Sequence, residues 1–364
     1  MNSTFKRAAM TGLVAVAMLG CASKSDAQPW PAQSKAQFHW RSSEPLITPA
    51  TVGDQAYAGL KDPSVVYFDG AYHVFMTTAA PDGWHMAYTR FADWSEAPNA
   101  PIVSLKPSGI GPGYRAAPQV FYFEPQKLWY MVYQSGPPMY STTADINDPT
   151  SWSAPKPFFS ETPAIIKATT GQDAWLDFWV ICDAAVCHLF NTDDHGALFR
   201  SQTPIGRFPE GFADTQEVMA GPRDDLFEAS MHYKIAGTGQ YLTVIEAIGP
   251  QGRYFRSWVS DRLDGEWRPL ADTVSDPFAG ADNVTFDGRA WSQGVSHGEL
   301  IRSGYDQTLT IDPCKPLQFL YQGLEAHEPD TDYINLPYRL GLLTADSTNP
   351  VSRLCRTADE GSAP

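Results

Sequence analysis

Asp62, Asp177 and Glu228 each open a run rich in aromatic and β-branched residues, in Lys61-Asp62-Pro63-Ser64, Leu176-Asp177-Phe178-Trp179 and Phe227-Glu228-Ala229-Ser230. Two similar runs open on Gln119 (Ala117-Pro118-Gln119-Val120) and His297 (Ser296-His297-Gly298-Glu299). Polar groups among apolar neighbours are costly to bury unless they are paired or used. Two carboxyl groups converging on one cleft are the equipment of glycoside hydrolysis, one as general acid and one as base or nucleophile. A third beside them raises the acid's pKa by like-charge repulsion. Each residue alone has a plainer reading. Asp62 before Pro63 is a turn former, Glu228 a satisfied polar residue between strands, and His297 a hydrogen-bonded core histidine. Three acids at equivalent places in three separate units are poorly explained by coincidence.

The units that must position them recur along the chain. Strand-turn-strand phrases begin at Lys61, Ala116, Leu176, Leu226 and Val295, and return through Tyr72–Thr77, Trp129–Gln134, Cys187–Asn191, Tyr241–Glu246 and Leu317–Gln322. A third strand follows in each unit. The first four close on Trp94, Trp152, Phe208 and Trp267, and the fifth is the run from Tyr338. Gly, Pro, Asp and Asn turns separate the strands, with almost no helical periodicity. The expected fold is all-β, a five-bladed β-propeller, with roughly 65 residues per blade. A two-sheet jelly roll would not explain five returns of one phrase. In a propeller the inner strands line the axis, so residues at their entries converge on one funnel.

Lys and Arg total 26 against 41 Asp and Glu, a net charge of -15 in 364 residues, which repels nucleic acid and anionic lipid. Ala8–Gly20 is too short to cross a bilayer as a helix, so no transmembrane span is expected. Residues 1–27 read as a secretory signal, with Lys6 and Arg7 before an apolar run. Two cleavage readings stay open: a lipobox at Met18-Leu19-Gly20-Cys21, which would make an outer-membrane lipoprotein lipidated at Cys21, and a small-x-small site at Ser25-Asp26-Ala27. Residues 28–364 are then one catalytic domain with a short C-terminal tail, expected to act as a monomer. Cys182 with Cys187 and Cys314 with Cys355 are candidate disulfides in an oxidising compartment, though spacing does not fix the pairing.

The segments KDPSVVYFDGAYHVF, AAPQVFYF, WVICD, LFEAS, YFRSW, DGEW, PFAGADNVTF, SHGELIRSGYDQTLTIDPC and LPYRLGLL together resemble glycoside hydrolase family 62, from about Phe38 to Leu343. That resemblance implies an inverting, exo-acting α-L-arabinofuranosidase that removes single arabinofuranosyl branches from arabinoxylan. It implies Asp62 as the base that activates water, Glu228 as the acid that protonates the leaving oxygen, and Asp177 as the residue that orients the sugar and raises the pKa of Glu228. Asp173 and Asp183 lie near enough to compete with Asp177, although Asp183 falls at a hairpin turn. Lys61 and Arg256 are expected to hydrogen-bond the sugar, Gln119 to bind substrate from the funnel wall, and Tyr333 and Tyr338 to bind the xylan backbone. The resemblance also implies a calcium ion near the axis with His297 among its contacts, an unusual ligand for so hard a cation. One departure concerns the pocket wall: Ser135 follows Tyr133-Gln134 where the family often has an aromatic. Three alternatives stay open: a related five-bladed β-xylosidase or arabinanase, a non-catalytic carbohydrate-binding propeller, and a structural cell-surface propeller.

Overall fold

Turn residues punctuate the chain so regularly that nearly every strand pairs with the next one in sequence. The computed structural model describes residues 37–170 and 175–355. Residues 1–27, with Cys21, lie outside the described residues, as does Asp173. The first blade comprises Gly59–Phe68, Ala71–Ala80, Gly83–Phe91 and Val103–Ser104. The second has Ala116–Phe123, Leu128–Gln134, Pro138–Thr143 and Lys156–Pro157, and the third Leu176–Cys182, Val186–Thr192, Ala197–Pro204 and Ala213–Ala220. The fourth is built on Glu228–Ile235, Gln240–Gly249, Gly252–Ser260 and Arg268–Thr273. The fifth takes Ser296–Leu300, Gln318–Leu324 and Tyr338–Ala345. This is the five-bladed propeller that the repeat predicts.

One element escapes the sequence pattern. Trp40–Ser42 pairs antiparallel with Tyr338–Ala345, Trp40 opposite Ala345, so the start of the chain completes the blade that its end began. The join is anchored by Trp40, buried against Phe278 and donating its indole N–H to the Phe278 carbonyl.

Strands in a blade are apolar on both faces because each blade is covered by two neighbours. The core therefore lies between blades. Phe75 of the first meets Trp152 of the second edge-on at 5.7 Å, and Phe255 of the fourth meets Phe319 of the fifth at 5.2 Å. Burying each such ring contributes about 1.5–3 kcal/mol. Polar ties cross the same seams, as where the Trp179 indole donates to the His232 carbonyl.

At the end of the axis away from the strand entries, the segment after Leu300 crosses the inner strands. Arg302 donates to the carbonyls of Val65 and Val120, in the first two blades. The Tyr305 carbonyl accepts from Tyr122 N, the Gln307 carbonyl from Cys182 N, and Thr310–Ile311 pairs parallel with Glu228–Ile235. Glu299 is fully buried beside Arg302: its Oε2 accepts from Val65 N, and its Oε1 lies 2.8 Å from Arg302 Nε without a hydrogen bond's alignment. Disulfides join Cys182 to Cys187 across a hairpin and Cys314 to Cys355 near the end of the described chain.

Candidate active site

In every blade the inner strand carries one extra residue at its entry. Pairing is lost between Lys61 and Ser64, Ala116 and Gln119, Leu176 and Trp179, Glu228 and Met231, and Ser296 and Gly298. Such bulges re-aim side chains next to active sites. In four blades the residue just after the break is left-handed: Asp62 (φ 49°), Ala117 (φ 50°), Asp177 (φ 53°) and Ala229 (φ 53°). Asp tolerates that conformation better than Ala, for which it costs of order 1–3 kcal/mol.

This register corrects the sequence alignment of the three acids. Asp62 and Asp177 are equivalent, but Glu228 stands one residue earlier, at the place of Lys61, Ala116, Leu176 and Ser296. The partners of those five across the hairpin are Glu246, Thr77, Gln134, Thr192 and Gln322, in the order Glu228, Lys61, Ala116, Leu176 and Ser296.

Those partners cap the bulged amide of the following blade. Gln322 Oε1 accepts from Asp62 N (2.7 Å), Thr77 Oγ1 from Ala117 N (2.8 Å), Gln134 Oε1 from Asp177 N (3.1 Å), and Glu246 Oε2 from His297 N (2.7 Å). The third blade breaks the pattern. Thr192 Oγ1 makes no hydrogen bond among the described residues, and the Ala229 amide donates instead to Asp177 Oδ2 at 2.8 Å. Asp177 is thus fixed from both ends, by its amide on Gln134 and by its carboxylate on the Ala229 amide.

The entries surround a cleft of about 200 Å³ lined by Lys61, Asp62, Asp177, Glu228, His297 and Tyr333, together with Trp84, Tyr114, Gln134 and Asp194. Asp62 Oδ1 is 3.3 Å from His297 Nδ1, and Asp177 Oδ2 is 4.0 Å from it. Burial pushes the Asp177 carboxyl up to about 6, Asp62's charge adding to the effect and His297 opposing it. Burial also raises Glu228 well above the carboxylate range, with Glu246 and then Asp177 adding to it and Arg253 opposing. That upward direction favours the protonated form, the one a general acid needs.

Lys61 donates from Nζ to Tyr333 Oη at 2.5 Å, and its ammonium lies 5.1 Å from the Trp84 ring centre, 4.5 Å from Tyr333 and 5.2 Å from Tyr338. Burial works against that charge, but Asp62, the two tyrosines and Glu228 outweigh it, so Lys61 stays cationic. Tyr114 and Tyr333 are 42% and 53% exposed, leaving their rings open to a ligand at the rim.

Three expected sugar contacts lie elsewhere. Gln119 is buried with its amide spent on both backbone groups of Val180, an inter-blade strut. Tyr338 is buried behind Lys61 and does not line the cleft. Arg256 bonds the carbonyls of Asp225 and Asp272 and stacks over Trp258. The guanidinium at the site belongs to Arg253, whose Nη1 donates to Glu228 Oε1 at 3.0 Å and Glu246 Oε1 at 2.9 Å. The distinguishing signal was available, since residues three apart on a strand point to opposite faces.

Sequence reasoning also missed Asp194, held left-handed (φ 58°) in the turn after Val186–Thr192 and lining the same cleft as Glu228. Asp183 is the expected turn former, accepting from Ala185 N and Val186 N. Ser135 accepts from Arg115 Nη1 at 2.7 Å, so the place of the family's aromatic serves to hold an arginine.

A calcium ion takes six to eight oxygen ligands. His297 offers one nitrogen, and among the described residues no group of three or more His, Cys, Asp or Glu is arranged to hold a metal.

The model of glycosyl hydrolase family 62 matches residues 39–344. Alpha-L-arabinofuranosidase C of Cellvibrio japonicus is 42% identical over 312 residues, 85% of this chain and 47% of the relative, so the chain spans about half the length of that curated protein. The catalytic domain of a Coprinopsis cinerea family 62 α-L-arabinofuranosidase is 52% identical with a TM-score of 0.82, covering 85% of this chain and 98% of that one. A family 62 hydrolase solved in complex with xylotriose is 48% identical, with the same TM-score and coverage.

Proposed function

Because the chain belongs to glycosyl hydrolase family 62, we propose that it removes non-reducing terminal α-L-arabinofuranosyl groups from arabinoxylan, acting from the chain ends of the branches with inversion at the anomeric carbon. The observation that carries this reading is the meeting of Asp62, Asp177 and Glu228, the last with its carboxyl pushed up by burial, in one cleft of about 200 Å³, room for little more than a single sugar ring. In this scheme Asp62 takes a proton from a water as its oxygen bonds to the anomeric carbon. The bond to the xylosyl oxygen breaks, and Glu228 delivers its proton to that oxygen. Asp177, fixed by the Ala229 amide, orients the sugar and keeps negative charge beside the acid. Lys61 donates to a sugar hydroxyl, and Trp84, Tyr114 and Tyr333 offer ring faces to the xylan backbone. That a relative was solved with xylotriose supports a xylan chain at the rim.

The acidic surface and the polysaccharide substrate support secretion of a monomer with residues 1–27 as leader, and mass spectrometry of the mature N-terminus would distinguish lipidation at Cys21 from cleavage after Ala27. No helix among the described residues is long and apolar enough to cross a membrane.

The activity is tested by incubation with wheat arabinoxylan and with linear arabinan. Free arabinose from arabinoxylan without shortening of the backbone is the expected result, with β-arabinofuranose as the first product by proton NMR. Xylose or shortened arabinan as the main product would place the enzyme among the β-xylosidases or arabinanases. α-Arabinofuranose appearing first would make Asp62 a nucleophile.

A further inference from the structure

Glu246 is a fully buried carboxylate that takes no direct part in the scheme above. The other four blades place neutral Thr or Gln at its register position, each sufficient to cap or stand beside a bulged amide. A charge is therefore not needed for capping. Glu246 does more than cap. Besides accepting from His297 N, its Oε1 accepts from Ser296 Oγ and from Arg253 Nη1, both at 2.9 Å. It also lies directly across the hairpin from Glu228, whose Oε1 accepts from that same Arg253 nitrogen. One guanidinium nitrogen is thus divided between two carboxyl groups. Arg253 sits two residues before Phe255, Glu246's own cross-strand partner, on the diagonal within reach of a long side chain, and its plane stacks over Phe227 at 4.1 Å.

We propose that Glu246 is a positioning residue for this reaction: it retains Arg253 in a shared pairing and so prevents the guanidinium from closing onto Glu228. The proposal rests on Glu228 being the acid of the proposed arabinofuranosidase. An acid fully paired with an arginine would stay ionised and have no proton to deliver. A buried anion opposite Glu228 acts in two ways with one sign, by direct repulsion and by competing for the cation.

The charges facing Glu228 come from five places. Glu246 and Arg253 belong to its own blade, Asp177 to the third inner strand, Asp194 to the third-blade turn, Lys61 to the first inner strand, and Tyr333 to the fifth-blade loop. Glu246 is faced by Arg253, Glu228, Ser296, His297 and Tyr338.

The test is the pH dependence of kcat/KM on arabinoxylan for the full chain and two variants. Glu246→Gln keeps an acceptor for the His297 amide and removes the charge. Its alkaline limb, which follows loss of the proton from Glu228, should move to lower pH by about one unit, the size a single nearby charge gives. Arg253→Gln removes the divided cation, and its alkaline limb should move the other way. A wild-type enzyme that releases no arabinose would fail the functional reading rather than this one. With an active wild type, limbs that stay put in both variants while kcat falls evenly at all pH would overturn the proposal and leave Glu246 a structural cap. Should Glu246→Gln fail to give wild-type circular dichroism, the upward movement in Arg253→Gln decides alone.

Discussion

Replacing Glu299 by Gln should destabilise the propeller severely and leave the chemistry almost intact. Glu299 is wholly buried, and Arg302 is 5% exposed. The pair sits below the cleft, with Glu299 Oε2 accepting from Val65 N at 3.0 Å and Arg302 Nη2 donating to Val65 O at 2.9 Å and Val120 O at 2.8 Å. Glutamine preserves the acceptor for Val65 N and removes only the charge. The guanidinium is then buried with carbonyl dipoles for company, and breaking a buried pair in this way costs about 3–5 kcal/mol. Unfolding entropy of about 2.1 cal/mol/K per residue, over the described length, is about 0.7 kcal/mol/K, so Tm should fall by about 4–7 °C. Differential scanning calorimetry at neutral pH reads this directly. The double variant Glu299→Gln with Arg302→Met should recover much of the loss, since no unpaired charge is left in the core. Well below Tm, kcat/KM should stay within about threefold of wild type, because neither residue lines the cleft. A drop under about 2 °C, or a double variant less stable than Glu299→Gln, would refute the reasoning.

Asp62→Ala and Glu228→Ala should each reduce kcat by about 10²–10⁴ with circular dichroism unchanged; more than a tenth of activity retained in either would sink that residue's assignment. Asp177→Asn keeps an acceptor for the Ala229 amide but removes a charge that holds the Glu228 proton, so the alkaline limb of its pH profile should move to lower pH, and a stationary limb would deny Asp177 that influence. Replacing Cys314 and Cys355 by Ser opens a loop of sequence separation 41 and should cost about 4 kcal/mol by chain entropy, against about 2 kcal/mol for the separation of 5 between Cys182 and Cys187, measured by denaturant titration under non-reducing conditions.

The blades were legible because alternating apolar strands and turn residues repeat within each one, a local signal. The ring's closure was not, because Trp40–Ser42 is a three-residue strand whose partner lies some three hundred positions away, and no local pattern marks so short an edge. Bulges explain the errors at the site. One extra residue at each entry shifts side-chain direction without disturbing hydrophobic composition, so Glu228 passed as the equivalent of Asp62, and Gln119, beyond the bulge, passed as an entry residue. Arg256 carries the motif likeness, but strand alternation turns it to the face opposite Arg253, which reaches Glu228. Glu246 and Asp194 gave no signal of their own, since a carboxylate in a strand or turn acquires meaning only from what stands across from it.

The segment that crosses the bottom of the axis has a consequence for the order in which the molecule assembles. Residues from Arg302 to Ile311 tie together inner strands that begin as early as Gly59, and the fifth blade needs both ends of the chain. A growing chain can form its early hairpins as they appear, but it cannot fix them around a common axis until the last fifth of the sequence arrives. The amide of Asp62 waits equally long for Gln322. Catalytic geometry is therefore a late event in folding, and a partly made chain holds its acids on hairpins with nothing yet to aim them.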